Sequence, residues 1–223
     1  MNTISLRVIA AASGIAGGAA YAFLGMAWAM THGSLGYNQE RLWLGIDNLT
    51  YSRWNVFHCI CFLVLLLALR PAARFSRPSA RRGYYAAAGA LAAQLVSQVL
   101  QYHVVNTLVD WRSLPVTLGY LMFWVSWLVF GVSMIVCGAA WREQPAALRI
   151  AVAATGLLAI ATFAAETFVF ALHSDGSPAW DVFLGVMKLP FALGWIALSI
   201  AALGLRLSPL PIRMNETGKT KVW

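Results

Sequence analysis

Long apolar stretches alternate with short polar ones along the whole chain. Six of them approach the roughly 20 residues that a helix needs to cross a hydrocarbon core about 30 Å thick. They are Leu6–Met30, Trp54–Arg70, Tyr84–Asn106, Pro115–Trp141, Leu148–Leu172 and Ala179–Leu207. Prolines punctuate their ends: Pro71 follows the second stretch, Pro115 opens the fourth, Pro145 precedes the fifth and Ser177-Pro178 opens the sixth. Proline suits the first helical turn and stops a helix elsewhere, so the pattern predicts helices between these marks. The expected fold is an all-α membrane protein, a six-transmembrane-helix bundle with short loops. It forms a single domain over residues 1–210, and the polar segment 211–223 is a short tail.

Two segments at the N-terminal side admit other readings. Arg7, the apolar run and Ala27-Trp28-Ala29 resemble a signal peptide with its cleavage site. The run from Val8 to Met30 exceeds the 7–15 or so residues of a typical signal core, so it is expected to stay as the first span. Within the loop that follows, Gln39–Ile46 could lie as an interfacial helix with Leu42, Trp43 and Ile46 in lipid, or serve as an ordinary connection.

Composition sharpens the picture. The chain is 60% hydrophobic and only 11% charged, against about 25% charged for a soluble domain. Such a chain cannot cover its surface with polar groups, which leaves lipid as its solvent. The formal charge of +8 does not point to nucleic acid, because no soluble segment or basic stripe is large enough to grip a duplex. Cys59, Cys61 and Cys137 all lie in apolar stretches and read as small buried hydrophobes.

The distribution of that charge sets an orientation. Arg7, Arg70, Arg74, Arg77, Arg81, Arg82, Arg142, Arg149, Arg206, Arg213, Lys219 and Lys221 fall on one side of the six spans. The other side holds only Arg41, Arg53 and Arg112. Positive residues flank the cytoplasmic ends of spans, so both termini are expected in the cytoplasm. An Ala-, Arg- and Leu-heavy composition suits a bacterial inner (plasma) membrane, and it gives the Asn48-Leu49-Thr50 sequon no weight.

Candidate chemistry lies where lipid should not tolerate it. A charge in the bilayer core costs about 2.5–3.5 kcal/mol on insertion scales, so it normally faces protein or water. Glu166 lies about 9 Å inside the outer end of the fifth helix, Lys188 about 13 Å inside the sixth and His58 about 6 Å inside the second. Thr155, Thr162, Glu166 and His173 form one stripe on the fifth helix, and Asp181, Lys188, Trp195 and Ser199 another on the sixth. Gln94, Ser97, Gln98 and Gln101 share a face of the third helix, with His103 opposite. Pro190 should kink the sixth helix beside Lys188 and free the carbonyl of Val186. These positions predict an outward-facing polar pocket, with Glu166, Lys188, His58, Gln98, Gln101 and Asp181 as ligand-binding candidates. The plainer alternative is a Glu166–Lys188 ion pair that neutralises both charges, with glutamines bonding across helices.

Other chemistry is weakly supported. No metal-ligand spacing, phosphate-binding glycine loop or nucleophile motif is present, and a haem between His58 and His103 would rest on two unpaired histidines. No cofactor is expected. Phe130-Gly131 through Gly138, Pro145-Ala146-Ala147-Leu148 and Thr155-Gly156-Leu157 resemble the second half of small uncharacterised bacterial six-helix integral membrane proteins. That resemblance implies the topology already read and no catalytic residue. Three functions remain. The first is a small carrier or binding protein for an amphiphilic small molecule. The second is an integral membrane enzyme on an isoprenoid-like substrate, with Glu166 as general acid. The third is an accessory subunit docking on another membrane subunit through seams such as Gly14-x-x-x-Gly18 or the Gly119, Ser126, Ser133 and Cys137 line.

Overall fold

The computed structural model describes residues 3–30, 48–107, 114–172 and 178–205. They hold six α-helices: α1 (Thr3–Met30), α2 (Asn48–Arg74), α3 (Pro78–Thr107), α4 (Leu114–Ala140), α5 (Ala146–Leu172) and α6 (Pro178–Ala202). The Gln39–Ile46 segment, His173 and the tail 211–223 lie outside the described residues.

Most helix ends follow the prolines, with two differences around the second turn. α2 starts at Asn48, earlier than expected, and runs through Pro71 to Arg74. Pro71 removes one backbone bond near the helix end, where Ala72 and Ala73 are buried in the core and hold the last turn in place. The Ser76 hydroxyl then donates to the Ala72 carbonyl at 2.9 Å, satisfying one of the carbonyls a helix end exposes. α3 starts at Pro78, where a proline fits the first helical position. The basic loop expected between these helices is therefore a turn of Phe75, Ser76 and Arg77, and Arg74, Arg81 and Arg82 are helical.

Each helix packs against its neighbours in sequence, and α6 closes the circle against α1. Neighbours run antiparallel: Gly14 of α1 faces Ser199 near the end of α6, whereas Gly25 faces Gly185 near its start. Arg7 donates two hydrogen bonds, at 3.0 and 2.5 Å, to the carbonyl of Leu205 and ties the first helix to the chain after the last. Both described chain ends thus lie at one end of the bundle, called proximal below; the other end is distal.

Aromatic rings fill the middle of the ring of helices. Trp195 of α6 stacks on Phe62 of α2 at 3.8 Å and against Phe130 of α4 at 5.6 Å, so a single indole bridges the bundle's width. Phe191 and Trp127 pack edge to face at 4.9 Å beside it. Such rings bury large apolar area in preferred offset and T-shaped geometries.

The outside is apolar. Ile4, Val8, Leu67, Val96, Leu121, Val132, Leu157 and Ile200, among others, are exposed on all six helices or their neighbours in the ring, while Gln94, Ser97, Gln98, Ser126, Thr155 and Ser199 are buried. Among the described residues, five helices are long and apolar enough to cross a membrane. α3 is not among them, because its described part carries Arg81, Arg82, Gln94 and Gln98. The structure is a helical, membrane-like bundle.

Candidate functional site

The distal half of the bundle gathers the charged groups that the apolar stretches isolate. α5 ends at this level and α6 begins there, which brings Glu166 and Lys188 to neighbouring positions on adjacent helices. The Lys188 ammonium lies 3.9 Å from Glu166 Oε1, with side chains 15% and 13% exposed. A charge-assisted hydrogen bond is shorter, at about 2.7–2.9 Å, so the two groups attract without closing on each other.

Aromatic side chains surround the ammonium. It stands 5.3 Å from the centroid of the Trp28 ring and 6.0 Å from that of Tyr21. Rings at that range attract a cation through their negative faces. The Tyr51 hydroxyl accepts a side-chain hydrogen bond from the Lys188 ammonium. The sequence placed Tyr51 in a loop, and the early start of α2 is what brings it here.

α1 and α6 can hold this arrangement because glycines meet where they cross. A Cβ on Gly25 would stand 2.7 Å from the Gly185 carbonyl oxygen and 3.0 Å from the Lys188 Cβ. Only the absence of a side chain lets the two backbones come so close, and Lys188 is carried in one turn beyond the contact. Tyr21 and Trp28 are seven residues apart and share the face of α1 that meets it.

Pro190 disturbs α6 two residues past Lys188. The α5 threonines meet the helix on either side of it: Thr162 donates to the Met187 carbonyl at 3.4 Å and Thr155 to the Gly194 carbonyl at 3.1 Å. The expected recipient was Val186. The described bond falls on the next carbonyl, three residues before the proline, whose usual donor is also displaced when a helix bends.

The other candidates divide. His58 is buried and lies one ring away from the pair, edge-on to Tyr21 at 4.9 Å, with Nδ1 3.3 Å from the Trp54 carbonyl and Nε2 3.4 Å from Cys59 Sγ. Gln98 is buried on α3, and no described contact ties it to Glu166 or Lys188. One turn away, Gln94 Oε1 accepts a hydrogen bond from Ser126 at 2.6 Å, and Ser97 donates to the Gly119 carbonyl at 2.7 Å. This face of α3 therefore bonds to α4, as the plainer reading of the glutamines has it. The side chains of Gln101, His103 and Asp181 lie outside those described. Among the described residues, no group of three or more His, Cys, Asp and Glu could hold a metal.

Sequence reasoning missed Tyr51, Tyr21 and Trp28. The heptad spacing of Tyr21 and Trp28 around Gly25 was the available signal, and it needed the partner helix to become legible. By its build the chain is of the multi-pass helical membrane class. Against known families, curated proteins and solved structures it gives no match.

Proposed function

We propose that the chain is a bacterial inner-membrane protein that crosses the bilayer six times, with both termini cytoplasmic, and binds an amphiphilic small molecule beside Glu166 and Lys188. The observation carrying this reading is the 3.9 Å charge pair in the distal half, framed by Tyr21, Trp28 and Tyr51. An ammonium and a carboxylate that stop short of a direct hydrogen bond retain capacity for a ligand's own polar groups, and the flanking rings suit its apolar body. A carboxylate–ammonium pair kept inside an apolar bundle is costly unless it has a use or a tight partner.

The alternatives draw less support. An accessory subunit would need free docking seams, but α6 occupies the Gly14 and Gly18 seam, and α3 occupies the Gly119, Ser126 and Ser133 line. A general acid at Glu166 would start from an unpaired carboxyl, and Lys188 already accompanies this one. The reading takes six crossings, and α3's place in the ring between α2 and α4 supports that count. Tyr85, Val96 and Val99, among its exposed residues, are apolar or aromatic, and Gln94 and Gln98 are buried. No cofactor enters this reading.

The test is purification from native membrane in mild detergent, followed by mass spectrometry of co-purified small molecules. Wild-type protein is expected to retain an amphiphile that the Glu166→Gln/Lys188→Met double variant loses while keeping its fold. Identical small-molecule content in both proteins would refute the reading.

A further inference from the structure

At the proximal end, far from the charge pair, a groove of about 660 Å³ opens between α2 and α3, lined by Arg74, Phe75, Arg81 and Tyr85. The tight turn creates it. Tyr84 donates to the Leu66 carbonyl at 2.5 Å, pinning the two helices together just inside the turn. Arg74 and Arg81 are left as exposed flanks on either side. Arg77, in the turn itself, reaches Glu143 at 3.4 Å, so the nearest described carboxylate is already engaged and none lines the groove.

Its apolar members are equally telling. Phe75 is 62% exposed and Tyr85 43% exposed, at the level where the arginines end and the apolar exterior begins. From Tyr85 the exposed face continues through Ala86 to Gly89, about 6 Å deeper. A Cβ on Gly89 would meet nothing within 4 Å, so the exterior is open there. Two guanidiniums above, two aromatic rings at the boundary and an open apolar face below match a phosphodiester with an acyl chain. Inorganic phosphate would use only the first of these features.

We propose that this groove seats an anionic phospholipid, with Arg74 and Arg81 on its phosphate and the start of an acyl chain along Tyr85, Ala86 and Gly89. Guanidinium groups bind phosphate oxygens in a planar fork, and anionic leaflets draw basic juxtamembrane residues. The proposal rests on membrane embedding and is independent of any ligand at Glu166.

The full chain would be reconstituted in nanodiscs of equal parts phosphatidylcholine and phosphatidylglycerol, then released into mild detergent for native mass spectrometry. Wild-type protein retains phosphatidylglycerol in preference to phosphatidylcholine. In Arg74→Gln/Arg81→Gln that retention falls about tenfold, whereas Arg142→Gln/Arg149→Gln, with the same loss of charge outside the groove, keeps it. Gly89→Leu puts bulk on this open face without removing a charge and also lowers retention, which keeps the test decisive if the arginine variant fails to fold. Equal retention of the two lipids by wild type, equal loss in the control variant, or unchanged retention in Gly89→Leu would each overturn the site.

Discussion

Lys188 has two kinds of company, one carboxylate and several aromatic rings, and they make different demands on a substitution. Glu166→Gln removes the only charge described near the ammonium and leaves it buried. Breaking a buried pair from one side costs about 3–5 kcal/mol, while replacing both members with apolar residues of similar size is often close to neutral. Glu166→Gln is thus expected to lower the thermal midpoint in detergent clearly, and Glu166→Gln/Lys188→Met to recover most of the loss. Equal stability of wild type and the single variant would mean that water already solvates both groups. At this scale the sequence was informative wherever the energetic penalty was large. A lone Glu or Lys in an apolar run stands out because lipid rejects it. Tyr51, Tyr21 and Trp28 did not stand out, because aromatic residues are at home both in a core and at a membrane boundary, and only the facing helix tells which role they have.

Helix pairing depends on where side chains are missing. α1 and α6 meet at Gly25 and Gly185, and α4 and α5 meet at Gly131 and Gly156, where a Cβ on either glycine would stand 2.9 or 2.6 Å from the other's carbonyl oxygen. Backbone atoms cannot swing aside as a side chain can, so filling these contacts must part the helices. Gly25→Leu is expected to cost about 1–3 kcal/mol or more by overpacking and to move Lys188 away from Trp28. Gly89→Leu, facing open space, should change stability by no more than about 0.5 kcal/mol. Thermal midpoints of the two variants, measured side by side, check the contrast. The glycine pattern was visible in the sequence as a predictor of contact, yet it could not name α6 as the partner of α1, since that pairing closes a ring between the two ends of the chain. Helix ends were legible at Pro115, Pro145 and Pro178, where proline opens or precedes a helix. Pro71 misled, because burial of the two alanines after it outweighs the single backbone bond it removes.

At the scale of the whole molecule, the described residues invert the polarity of a soluble protein: Gln94, Ser97, Gln98, Ser126, Thr155 and Ser199 are buried, while Val8, Leu67, Val96, Leu121, Leu157 and Ile200 are exposed. α3 makes the inversion most informative, because its described part is less apolar than the other five helices while its exposed face is not. Val96 lies on that face, 49% exposed, opposite the buried Gln94 and Ser97. If α3 crosses the bilayer with its neighbours, Val96→Arg places a guanidinium in hydrocarbon at a cost of about 2.5–3.5 kcal/mol. If α3 faced water, an exposed substitution of this kind would be nearly silent, within about 0.5 kcal/mol. Membrane-inserted yield and thermal midpoint should both fall in Val96→Arg and stay unchanged in Val96→Leu. The proposed embedding also carries the proposed orientation, because the arginines of the α2–α3 turn and of Arg142 and Arg149 share the proximal end with both described chain ends. Translocating that end would move its basic cluster across the bilayer, whereas the segments at the distal end hold few basic residues. A reporter fused after Trp223 is therefore expected to be active only as a cytoplasmic reporter. Periplasmic activity would reverse the orientation and with it the side from which Glu166 and Lys188 meet their ligand.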